Sequence, residues 1–133
     1  MKVYDPSTQP DPKQWLELDE QERIGLVVAY HRKQRIKLEK TRVHAAFHVI
    51  VENQIAEGLK STERAITRLL AEGLSRHEAL HAVMCVLVGH LNEAMSSPEG
   101  FSALAAQAKY EAELDRLTVS EWHRISESEG DGN

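Results

Sequence analysis

Four histidines are spaced for shared chemistry: His44 and His48 in HAAFHVIVENQIA, and His77 and His81 in HEALH, each pair four residues apart. On a helix that step puts both side chains on one face, with Cβ atoms roughly 5–6 Å apart. Two neutral imidazoles so placed can converge on one ion, and imidazole suits zinc, iron, copper and nickel. Glu52 extends the first row by a further turn, about 80° round the helix from His44. It is a candidate ligand itself, or an acceptor that orients an imidazole. His48 and His81 are both embedded in apolar runs, AAFHVIV and EALHAVMCVLV. A buried imidazole needs hydrogen-bond partners or a metal. Two such helices packed together would form one interior site from His44, His48, His77, His81 and Glu52, as bundle cores do. Zinc is the first expectation and iron the second. The rival reading is that the histidines are core or surface residues satisfied by ordinary hydrogen bonds.

HEALH also matches the zinc-protease pattern, in which two histidines bind the metal and the glutamate is the general base. The surroundings argue against it. The longer form of that motif needs glycine at 84 and histidine at 87, where this chain has Met84 and Leu87. Glu78 has a simpler role: with Ser75 it forms S-R-H-E, a capping box. The remaining histidines rank lower. His31 follows Tyr30 and is a secondary ligand candidate. His90 faces away from His81, and His123 reads as surface.

The elements that must position these residues are helices. Residues 1–11 read as an extended or loosely docked arm. Asp11-Pro12 starts a short helix, with Asp11 as cap and Pro12 at its first position. Asp19 and Glu22 form a second capping box, opening a helix with Ile24, Val27, Val28 and His31 on one face. The basic block RKQRIKLEKTR follows, and its sequence leaves open whether this helix runs on into the next. A third helix over residues 40–57 ends at Gly58. Ser61 or Thr62 caps a fourth, with Ile66, Leu69 and Leu70 inward, ending at Gly73 and Leu74. Ser75 caps a fifth over residues 76–95. Ser97-Pro98 opens a sixth, with Phe101, Leu104, Ala105, Ala108 and Leu114 or Leu117 as its inner stripe. Thr118 and Glu121 open a last turn or two with Trp122 and Ile125. The two tryptophans, Trp15 and Trp122, are expected to cover the ends of the fold. No segment alternates apolar and polar residues as a strand does. The fold class is all-α: a single-domain helical bundle of five to six helices over residues 12–125, then an acidic, disordered tail at 126–133.

Bulk composition bounds the function. A chain of 133 residues is long enough to bury a core without staples. The net charge of −5 argues against a nucleic-acid binder. The single cysteine, Cys85, excludes an internal disulfide framework and reads as a small buried hydrophobe. No secretory leader and no membrane-length apolar run is visible, so a cytoplasmic protein is expected.

Three stretches, WLELDEQERIGLVVAYHR, HAAFHVIVENQIA and EGLSRHEALHAV, together resemble a family of small bacterial all-helical proteins with no assigned activity. The resemblance covers residues 15–95 and implies a stand-alone helical domain in the bacterial cytoplasm. Two functional expectations result. The first is a helical protein with an interior His/Glu transition-metal site. The alternative is a non-enzymatic interaction or homo-oligomerisation module with structural histidines. A peptidase is not expected.

Overall fold

The computed structural model describes residues 1–36, 40–96 and 103–128. These form seven helices, and no strand occurs among the described residues. The all-α expectation holds. The count exceeds the expected five to six because the final turns form a helix of their own. The chain divides into two compact units, Met1–Leu59 and Lys60–Asn133.

The first unit holds α1 (Pro12–Glu17), α2 (Glu20–Lys33) and α3 (Thr41–Ala56). Its starts follow the expected chemistry. Asp11 accepts the amide of Gln14 at 3.0 Å, and Pro12 takes the first helical position. Asp19 and Glu22 cap each other's backbone amides at 2.8 and 2.9 Å. α2 and α3 are separate helices. α2 stops where Arg35 turns left-handed, with φ 59°, and the amide of Ile36 reaches back to the carbonyl of His31 at 2.9 Å. α3 ends at Gly58, with φ 80° and the Leu59 amide on the Gln54 carbonyl at 2.9 Å, a Schellman closure.

The core of this unit is Tyr4, Trp15, Ile24, Val27, Val28, Ala45 and Val49. Trp15 is a central core residue, fully buried, with its indole N–H on Asn53 Oδ1 at 2.9 Å. Arg23 reaches the same Asn53 oxygen at 3.1 Å and the carbonyls of Trp15 and Leu16 at 3.0 Å each. That one guanidinium therefore joins α1, α2 and α3. The N-terminal arm contains no helix, but Tyr4 and Pro6 are buried.

The second unit holds α4 (Lys60–Ala71), α5 (Arg76–Ser96), α6 (Ala103–Asp115) and α7 (Val119–Ser128). α4 packs on α5 and α6, and α5 on α6 and α7. α4 begins at Lys60, so Ser61 and Thr62 are buried first-turn residues and not the expected cap. Ile66 and Leu69 face inward, whereas Leu70 is exposed. Gly73 closes α4 with φ 106° and the Leu74 amide on the Leu69 carbonyl at 3.2 Å. On α6 the expected stripe holds only at its end. Leu114 and Leu117 are buried with Tyr110, but Leu104 is 83% exposed and Ala105 and Ala108 face outward. Ser97, Pro98 and Phe101 lie outside the described residues.

Polar links tie α4 to the end of α6. Arg64 grips the Asp115 carboxylate at 3.1 and 2.9 Å, and Arg68 donates to the carbonyls of Leu114 and Leu117 at 3.2 and 2.7 Å. Thr118 caps the Glu121 amide at 3.1 Å, as expected. α7 then runs to Ser128, so the helix takes up residues 126–128, the first of those assigned to a disordered tail. The rest of that tail lies outside the described residues. No helix among the described residues is long and apolar enough to cross a membrane.

A candidate metal centre in the first unit

The last turn of α2 and the first two turns of α3 bring three imidazoles together. His31 completes the buried stripe of α2 begun by Ile24, Val27 and Val28. His44 and His48 sit one turn apart on α3. His31 and His48 are buried and His44 is half-buried. Ring centroids are 5.0 Å apart for His31 and His44, 5.4 Å for His31 and His48, and 5.6 Å for His44 and His48. The rings meet edge to face, at 80°, 74° and 61° between planes, so their edges fan round a common region. One nitrogen from each of these imidazoles lies within 4.8 Å of the others. Tetrahedral ligation at 2.0–2.1 Å puts ligating nitrogens roughly 3.3 Å apart. The set would therefore have to draw closer together to hold an ion.

Hydrogen bonds outside this group bear on the tautomers. His31 Nδ1 lies 2.9 Å from the carbonyl of Val27. A carbonyl only accepts, so Nδ1 carries the proton and Nε2 keeps the lone pair that a metal takes. This is the usual support of a metal-bound histidine, whose other ring nitrogen donates to a carbonyl or carboxylate. The sequence-expected Glu52 is also present and buried, on the turn after His48. Its Oε2 accepts the hydroxyl of Tyr4 at 2.5 Å, which fits the role of an orienting acceptor.

The other expected pair lies in the second unit. His77 and His81 are half-buried on α5, with ring centroids 4.3 Å apart, as their four-residue step requires. Glu78 is exposed and occupied as the cap partner of Ser75, with Ser75 N on its Oε1 at 2.9 Å and its own amide on Ser75 Oγ at 3.1 Å. His90 faces Tyr110, with centroids 5.4 Å apart, and Glu113 Oε1, 3.7 Å away. His123 is exposed, as expected. Cys85 is a free thiol, half-buried rather than fully enclosed.

His31, a secondary candidate by sequence, lies with His44 and His48, and Tyr4, which no sequence pattern marks, lies against His48 and Glu52. A signal for His31 did exist, since it extends the apolar face of α2 by one turn. Tyr4 had none: it is an isolated aromatic in a polar segment, and only tertiary docking buries it. Comparison with protein-family models, with curated proteins and with solved structures finds no match.

Proposed function

We propose that this chain is a transition-metal-binding helical protein, with zinc the preferred ion and iron the second. His31, His44 and His48 of the first unit would be ligands, and Glu52 an orienting acceptor. The observation that carries the reading is the convergence of three largely buried imidazoles from two helices, one nitrogen each within 4.8 Å. Neutral imidazole is the donor that zinc and iron(II) both accept. The bound ion would supply a fixed positive charge and join α2 to α3 beside the left-handed turn at Arg35. The resemblance to a bacterial helical family supports a cytoplasmic setting for such a protein.

Elemental analysis of protein purified without chelators tests the proposal. One ion per chain is expected, and His48→Ala should lose it while the helical circular-dichroism signal remains. His31→Ala and His44→Ala should each weaken binding, whereas His90→Ala should not. His77→Ala and His81→Ala, measured in parallel, decide whether that pair contributes ligands. If the purified protein holds no metal and added zinc or iron leaves its melting temperature unchanged, the metal reading fails. The histidines are then structural.

A further inference from the structure

We infer that Tyr4 is a positioning residue for His48, and that it makes the N-terminal arm a latch whose docking is coupled to metal affinity. This rests on the metal reading above and adds to it a means of control. Tyr4 is 1% exposed, although Val3 beside it is 68% exposed and the segment has no helix to hold it. Its hydroxyl donates to Glu52 Oε2 at 2.5 Å and lies 3.2 Å from His48 Nδ1. A phenol has one proton. With that proton donated to the carboxylate, the phenol oxygen accepts from His48, which places the imidazole proton on Nδ1. Nε2 then carries the lone pair. Tyr4 thus gives His48 the same tautomer that the Val27 carbonyl gives His31.

Ring contacts fix the same side chain. The Tyr4 ring meets His48 edge to face, with centroids 5.7 Å apart, and packs against Trp15 at 5.7 Å and Tyr30 at 6.3 Å. Pro6, two residues on, is buried as well. A cavity of about 360 Å³ is lined by the arm's residues Lys2 to Asp5 and by Leu26, Tyr30 and Lys33 of α2. Tyr4 links the arm to His48 and Glu52 of α3. Coupling of this kind is reciprocal: whatever docking of Tyr4 adds to metal affinity, the ion returns to docking.

The decisive variant is Tyr4→Phe, which keeps the ring and removes the hydroxyl. Its zinc affinity, measured by competition with a chromophoric chelator, should fall about 10–100-fold, the usual effect of losing a group that orients a ligand. Nitrogen-15 spectra of the metal-free protein should show His48 protonated at Nδ1 in the parent and redistributed between its ring nitrogens in the variant. Hydrogen exchange of residues 2–8 should slow when zinc is added to the parent and change less in the variant. Glu52→Gln keeps an acceptor for the phenol and should fall between the two. If the parent binds zinc and Tyr4→Phe binds it equally, the latch is overturned while the metal reading stands. A larger loss in Glu52→Gln than in Tyr4→Phe would make Glu52 a ligand and overturn the positioning role. If the parent binds no zinc, the metal reading and the latch fall together. The ring-nitrogen spectra would then still report whether Tyr4 sets the tautomer of His48.

Discussion

Trp15 and His31 show how single side chains decide this fold and its candidate site. Trp15 fills the centre of the first unit and satisfies its indole N–H on Asn53. Trp15→Ala should cost about 3–5 kcal/mol, the range for removing a large buried aromatic. Chemical denaturation monitored by circular dichroism measures it, and a loss below 1 kcal/mol would contradict the central position. That His44, His48 and Glu52 form one row along α3 was legible because a four-residue step has one geometric meaning on a helix. His31 was only partly legible, since it comes from another helix and its approach depends on how α2 meets α3. Tyr4 was not legible, because its partners His48 and Glu52 lie 44 and 48 residues away.

At the scale of elements, local chemistry decided the ends well and the faces less well. Caps at Asp11, Asp19, Ser75 and Thr118 form where the side chains allow, since a cap needs only its own turn. The start of α4 did not follow that rule. The Schellman closure at Gly58 and Leu59 passes the chain directly into α4, which leaves Ser61 and Thr62 inside it. The inner face of α6 was also misjudged. Its alanines leave several helix rotations almost equal in apolar content, and Tyr110, Leu114 and Leu117 are the residues that packing buries. The left-handed residues make a paired prediction. Adding a Cβ at Gly58 or Gly73 meets no atom within 4 Å, so the cost of alanine there is conformational. Each of Gly58→Ala and Gly73→Ala should lower stability by about 1–2 kcal/mol. Arg35→Gly should act in the opposite direction by up to about 1 kcal/mol, because Arg35 already bears that strain at φ 59°. Thermal or urea melts of the three variants check both signs.

For the whole molecule, acid should act in two separate stages. Protons compete with metal for imidazole nitrogens, so zinc should be released as the pH falls from neutrality. Release removes the stabilisation that binding confers. The carboxylates respond later. The Arg64 guanidinium hydrogen-bonded to Asp115 holds that carboxyl below its usual range, and Arg124 does the same for Glu121. A depressed carboxyl pKa stabilises the fold above the unfolded value and loses that effect as pH falls through the folded one. Both pairs are solvent-exposed, so their loss below about pH 4 should be small and further reduced by salt. Melting temperature against pH, with and without zinc, should therefore show a zinc-dependent fall near neutrality and a weak salt-sensitive one in acid. A zinc-independent profile from pH 7.5 to 5.5 would count against the metal centre.

The sequence by itself determined that the chain is all helical, where most helices begin and end, and that His44, His48 and Glu52 share one helix face. Those properties depend on neighbours a few residues apart, and capping, glycine conformation and the helical repeat govern them locally. Tertiary structure alone decided that His31 joins His44 and His48 and that Tyr4 is drawn from the arm into the core. It also decided which face of α6 is buried. Each of these depends on contacts between separate segments, where burial of apolar area and pairing of buried polar groups choose among arrangements that local sequence leaves equivalent.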